Sequence, residues 1–168
     1  METSNDKKGL ENAINTALDT LYENDKYLID SHLHEQCIAF RFGLYLYQLI
    51  QKTPWCEYNL DMEYNKNMGS GKYIPSRRKG VRPDLILHKR NSNQHNILII
   101  EFKKGENKPL LKSDVKKISD FIDPNGEYKY KFGAAILLTP NRKDVVVQWG
   151  EEKEKRQYKV APIQFKEI

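Results

Sequence analysis

Cysteine is scarce in this 168-residue sequence, with Cys37 and Cys56 its only two. Two thiols cannot make a disulfide framework, and their spacing is not that of a metal site. They are expected to be reduced thiols of a cytoplasmic protein. Long apolar runs are missing as well, which excludes a bilayer-spanning helix, and no membrane partner is expected. Residues 1–8 lack the apolar core of a signal peptide. Histidine is sparse: His32 and His34 point to different sides of a helix, and His88 and His95 fall on strand and loop, so no zinc centre is expected. No glycine-rich phosphate cradle, nucleophile elbow or Cys/His pair is present. No internal repeat, low-complexity tract or linker divides the chain. It reads as a single domain over 1–168, with a helical extension at 1–30, a core at 31–139 and C-terminal strands at 140–168.

What is plentiful is charge. Lys and Arg exceed Asp and Glu by 28 − 23 = 5, and a basic balance favours polyanionic partners. Helical spacing of Leu10, Ile14, Ala17, Leu18, Leu21 and Tyr22 predicts a helix over residues 8–23. A second is expected over 31–52, with Ser31 as its N-cap, Thr53-Pro54 beyond its end and an inward stripe of Glu35, Ile38, Ala39, Phe42, Leu46 and Leu49. Residues 57–65 alternate as a strand, with Tyr58, Leu60, Met62 and Tyr64 on one face and Glu57, Asn59, Asp61 and Glu63 on the other. The acidic face is either solvated or turned to a cleft.

Residues 67–81 read as a loop containing Gly69, Gly71 and Gly80, and cations Lys72, Arg77, Arg78 and Lys79, with Arg82 just beyond. It has no acidic residue, and Tyr73 sits among the cations. Such a loop is either a solvated connector or a phosphate-binding segment with an aromatic that stacks on a base. A turn over 105–109 leads to a helix capped by Ser113, with Val115, Ile118, Phe121 and Ile122 inward. Lys112, Lys116 and Lys117 face either phosphate or solvent. Strands are expected over 132–139, 144–149 and 157–165, the last after a charged turn at 150–156.

The centre of the chain is a hairpin, residues 82–88 and 96–104, joined by the polar loop 91–95. Period-two alternation puts Ile97, Ile99, Glu101 and Lys103 on one face. Asp84 opens the first strand, so two carboxylates and a lysine converge. The bland alternative for Glu101 and Lys103 is an exposed strand-end ion pair worth under about 1 kcal/mol.

Pro83-Asp84 followed by Glu101-x-Lys103 on the next strand resembles the signature of the PD-(D/E)xK nuclease superfamily. Asp/Glu-x-Lys recurs at Asp6, Glu106, Asp114, Glu127 and Glu151, but only the copy at Glu101 ends an aliphatic strand and follows the chain's single Pro-Asp pair. The resemblance implies a restriction-endonuclease-like α/β fold, an αβββαβ core with a mixed central sheet flanked by helices. The N-terminal helix and the C-terminal strand pair are additions to it. It implies metal-dependent phosphodiester hydrolysis in nucleic acid, foremost a DNA endonuclease of defence or of DNA repair and recombination. The alternative is an inactive nucleic-acid-binding or protein-interaction module on the same fold.

By the same resemblance Asp84 and Glu101 are metal ligands, joined by the Phe102 carbonyl and by Glu35, which otherwise only favours its helix dipole. Two carboxylates about 4 Å apart repel by roughly 4 kcal/mol at an effective dielectric of 20. Hard oxygen ligands suit Mg2+, with Mn2+ as substitute. Lys103 is expected to orient or deprotonate water or to stabilise the phosphorane. Lys72, Tyr73, Arg77, Arg78, Lys79, Arg82 and Lys104 are the expected nucleic-acid contacts. One site per chain favours a homodimer if both strands are cut.

Overall fold

The computed structural model describes residues 2–31, 33–105 and 108–150. Helix α1 (Glu2–Asn24) and the short α2 (Lys26–Asp30) lead to α3 (Glu35–Ile50). Strand β1 (Asn59–Met62) follows, then a small hairpin of β2 (Lys66–Asn67) and β3 (Ser70–Gly71). After it come β4 (Leu85–His88), β5 (Asn96–Lys104), α4 (Lys108–Phe121), β6 (Phe132–Leu138) and β7 (Val146–Trp149). The main sheet has the order β1-β4-β5-β6-β7. Only β5 and β6 are parallel, because α4 crosses between them. Leaving aside the small hairpin, the order from α3 to β6 is αβββαβ, a mixed α/β sheet flanked by helices, as expected. Among the described residues, no helix is long and apolar enough to cross a membrane.

Strand alternation sorts the core into two layers. Leu85, Leu87, Leu98, Ile100, Phe102, Ile136 and Leu138 pack under α1 and α3, while Ile86, Ile99, Ala135 and Leu137 pack under α4. Helix α1 is no appendage: Leu10, Ile14, Ala17, Leu18 and Leu21 are wholly buried in the first layer. Tyr22 fastens it by donating its hydroxyl to the Thr139 carbonyl at 2.6 Å.

Several expected boundaries move, each for a local reason. Ser31 ends α2 instead of starting α3, its N–H donating to the Tyr27 carbonyl; His34, extended at φ −56° and ψ 141°, precedes α3. The inward stripe of α3 ends on Ile50, with Leu49 only partly buried. Glu63, at φ +50°, terminates β1 early and turns Tyr64 to the α4 layer, away from Tyr58, Leu60 and Met62. Helix α4 begins at Lys108, well before Ser113; Pro109 fits a first turn, where its missing N–H has no partner to lose. A register shift beside Leu87/His88 inserts an extra residue in β5, which sends Ile97 to the α1/α3 layer and separates it from Ile99. The strand expected over 157–165 and the turn at 151–156 lie outside the described residues.

Gly133 of β6 sets how closely α4 approaches the sheet. A Cβ there would lie 2.3 Å from Ile118 Cγ2 and 3.1 Å from Ile122 Cγ2. Gly133→Ala is therefore expected to destabilise the fold by about 1–3 kcal/mol through overpacking. Gly9 lies inside α1, and a Cβ there would meet nothing within 4 Å. Gly9→Ala should instead gain about 0.5–1 kcal/mol. Thermal melts of the two variants should move in opposite directions; two shifts of the same sign would contradict this packing.

Candidate active site

The pairing of β4 with β5 stops at Leu85 and Ile100, so the last residues of β5 run past their neighbour. That leaves the Phe102 N–H without a strand partner, and Asp84 supplies one: its Oδ2 accepts that N–H at 2.6 Å. Asp84 is thereby fixed beside the outgoing end of β5. In a strand the N–H and C=O of one residue point to the same neighbour, so the Phe102 carbonyl leaves β5 on the edge that Asp84 occupies. Its ring belongs elsewhere, edge-on to Phe42 in the α1/α3 layer.

Glu101 points to the α4 layer and is 5% exposed. Lys117 of α4 meets it: Nζ lies 2.7 Å from both carboxylate oxygens. Burial pushes the Glu101 carboxyl up to about 8, with the Asp84 and Asp114 charges adding and Lys117 opposing. Asp84 is also raised, by burial first, against the Phe102 N–H and the Lys117 and Lys103 charges. Asp114, one turn before Lys117 on α4, is buried and raised for the same primary reason.

Lys103 stands 3.5 Å from Glu35 and 3.7 Å from Asp114. Desolvation pulls its pKa down, but the Asp114, Glu35 and Asp84 charges outweigh it and hold the ammonium form. With these carboxylates around it Lys103 favours its ammonium form, which suits orienting water or stabilising a phosphorane among the roles expected of it. Glu35 does not join Asp84 and Glu101. Its Oε1 accepts the Lys104 N–H at 2.9 Å, sealing the end of β5, and it does not line the cleft.

The cleft measures about 660 Å3 and is lined by Glu63, Arg77, Arg78, Lys79, Gly80, Val81, Arg82, Asp84, Glu101, Lys103, Asp114 and Lys117. Ten of those twelve side chains are charged, which suits a polar ionic ligand and not an apolar one. Arg77, Arg78, Lys79 and Arg82 are where the sequence expects phosphate contacts. The other three expected contacts are elsewhere. Lys72 is 3% exposed, its ammonium enclosed by the rings of Tyr64, Tyr128 and Tyr130 at 5.2 to 5.9 Å; burial lowers its pKa to about 8. Tyr73 is exposed but lies over Gly71 and Gly80, outside the cleft, its backbone bonded on both sides by the Tyr128 hydroxyl. Lys104 takes the opposite face from Lys103 and reaches the Leu33 carbonyl.

Glu63, Asp114 and Lys117 are the cleft residues that sequence pattern does not single out for the site. Glu63 is legible only as part of an acidic strand face. Asp114 and Lys117 share a helix face at i, i+3, a signal visible once α4 is known to cover Glu101.

Three buried cleft oxygens, Glu63 Oε2, Glu101 Oε1 and Asp114 Oδ2, have no hydrogen-bond partner. They are met only by ion-pair contacts, with Arg82 at 3.2 Å, Lys117 at 2.7 Å and Lys103 at 3.7 Å. Among the described residues no three His, Cys, Asp or Glu side chains form a metal cage. A hard cation such as Mg2+ takes one or two carboxylates completed by water and substrate phosphate, though Lys117 stands at both Glu101 oxygens. Asp84, Glu101 and the Phe102 carbonyl are oxygen donors of that type at the end of β5. No family model, curated protein or solved structure matches the chain.

The raised Glu101 pKa fixes a pH signature. Between the ordinary value of 4.5 and about 8, the folded chain holds a proton that the unfolded chain releases, so stability falls as pH rises through that window. Raised Asp84 acts in the same sense. In chelator, Glu101→Gln should melt above the wild type at pH 8 and lose that advantage near pH 4.5. Parallel melting curves across the window would refute burial of an ionisable carboxylate at this position.

Proposed function

We propose that the cleft hydrolyses phosphodiester bonds in nucleic acid, foremost DNA, as a Mg2+-dependent nuclease of the PD-(D/E)xK type on a restriction-endonuclease-like core. The observation that carries this reading is the convergence of two carboxylates, the part-buried Asp84 and the buried Glu101, with Lys103 beside them and a cationic loop across the cleft. Like charges placed so close need a cation between them, and the loop supplies charges for an anion. The αβββαβ order of elements supports the same reading.

Asp84, Glu101 and the Phe102 carbonyl would hold Mg2+, with Mn2+ as substitute. When bound, the ion neutralises charge on a phosphate oxygen and lowers the pKa of a water. The chain's own residues do the rest. Lys103, held as an ammonium by Asp114 and Glu35, offers positive charge where the phosphorus gains negative charge. Arg77, Arg78, Lys79 and Arg82 take neighbouring phosphates. One observation favours a second reading, binding without cleavage: Lys117 already occupies both oxygens of Glu101.

A cleavage assay on labelled duplex, single-stranded and branched DNA and on RNA, with Mg2+, Mn2+ or chelator, decides between them. Cleavage with either metal, abolished in Asp84→Asn and Glu101→Gln, is expected; Lys103→Ala should lose ~10²–10³-fold in turnover while keeping Mn2+ binding by calorimetry. Binding with no cleavage of any substrate would establish the second reading, and neither binding nor cleavage would end both.

The loop has its own test. Each phosphate contact contributes about −0.9 to the slope of log affinity against log salt. Arg77→Ala with Arg78→Ala should weaken DNA binding and flatten that slope by about 2. An unchanged slope would make the loop a connector.

A further inference from the structure

The cationic segment of the cleft closes on itself at its root. The Val81 N–H donates to the Lys72 carbonyl at 2.8 Å, joining the two ends of residues 72–81 in the manner of an Ω-loop. Ile74 and Val81 are buried in the α4 layer, whereas Arg77, Arg78 and Lys79 are exposed at the tip and line the cleft. Three like charges side by side repel one another, so the tip does not fix its own place.

One side chain reaches the root from outside the loop with two hydrogen bonds. The Tyr128 hydroxyl accepts the Tyr73 N–H at 2.9 Å and donates to the Tyr73 carbonyl at 2.8 Å. Tyr73 belongs to no strand, and this hydroxyl gives its backbone the donor and acceptor that a strand partner would supply. Tyr128 comes from the segment between α4 and β6, and its ring is 2% exposed and lies 5.0 Å from the Phe121 ring. The hydroxyl is therefore carried on a buried ring.

A neighbouring tyrosine makes the contrast. Tyr128 and Tyr130 both face the Lys72 ammonium, at 5.2 and 5.9 Å, and both are buried. The Tyr130 hydroxyl has no hydrogen-bond partner among the described residues. Its ring packs, but its oxygen ties nothing.

We propose that Tyr128 is a positioning residue of the cleft: its hydroxyl fixes the root of the 72–81 loop and so sets Arg77, Arg78 and Lys79 in place before a ligand arrives. The consequence for binding rests on the reading of the cleft as a nucleic-acid site; the anchoring does not. A loop that kept its place a tenth of the time would bind about tenfold more weakly.

Residue-resolved amide hydrogen exchange on the full chain tests the anchoring. Tyr128→Phe keeps the ring and deletes both bonds. The Ser76, Arg77 and Val81 amides are the ones to follow, because their acceptors are Asp120, Ile74 and Lys72 and not Tyr128. In Tyr128→Phe they should exchange about tenfold faster, with the Ile99 and Ile100 amides of β5 unchanged. Tyr130→Phe should leave all five as in the wild type. Faster exchange at Tyr73 alone, equal effects of the two variants, or acceleration that extends to β5 overturns the proposal. Titration of labelled duplex DNA in chelator tests the consequence. Tyr128→Phe should bind about tenfold more weakly and keep the wild-type salt slope, because no phosphate contact is lost. Wild-type affinity with an opened loop also overturns the proposal. A wild type that neither binds nor cleaves nucleic acid ends the reading of the cleft, and the exchange data then decide the anchoring alone.

Discussion

Glu101 enters the middle of a five-stranded sheet, where burying a charged carboxylate costs several kcal/mol, and Lys117 is the cation that meets it there. Much of the site's geometry follows from that contact. Lys117 can reach only if α4 lies close on β5 and β6, and Gly133 is what lets it lie close. With α4 in that position, Asp114 falls one turn earlier on the same face and engages Lys103. Lys103 is then drawn between α4 and the first residue of α3. The two helices on opposite faces of the sheet are therefore tied together through one lysine at the end of β5.

The same arrangement works against stability. Burial raises Asp84, Glu101 and Asp114 together, which means each carboxylate is less comfortable as an anion in the fold than in water. A chain selected only for stability would replace them with apolar residues of similar volume. Concentration of such groups in one cleft is what a site built for a ligand looks like.

How much of this is readable in the sequence depends on the range of the cause. The hairpin, the aliphatic strands and the Asp84–Glu101–Lys103 constellation follow from local pattern, and the structure brings those three side chains to one cleft. Alternation puts Ile97 on the wrong face because a single extra residue in β5 reverses it, and a one-residue slip leaves no mark on composition. Lys72 reads as a loop cation because its three tyrosines come from outside that loop, one before it and two far beyond. Pattern cannot choose between phosphate and solvent for Lys117 for the same reason: its partner is on a different element. Tertiary pairing of charged residues is the part that local pattern does not encode.

Matching the cleft's charges one against another shows what it lacks. Glu63 has Arg82, Glu101 has Lys117 and Asp114 has Lys103. Asp84 has a backbone N–H and only the more distant charges of Lys117 and Lys103, and Arg77, Arg78 and Lys79 form no ion pair among the described residues. These leftover charges cannot neutralise one another within the chain, because the loop holds its cations away from Asp84 by more than ion-pair distance. A ligand that matches these charges brings positive charge to the Asp84 side and negative charge to the loop side. A lone anion would satisfy the loop and aggravate Asp84; a lone cation would do the reverse. A polyanion arriving with a divalent cation would satisfy both, which is the ligand pair the proposed function assigns to the cleft.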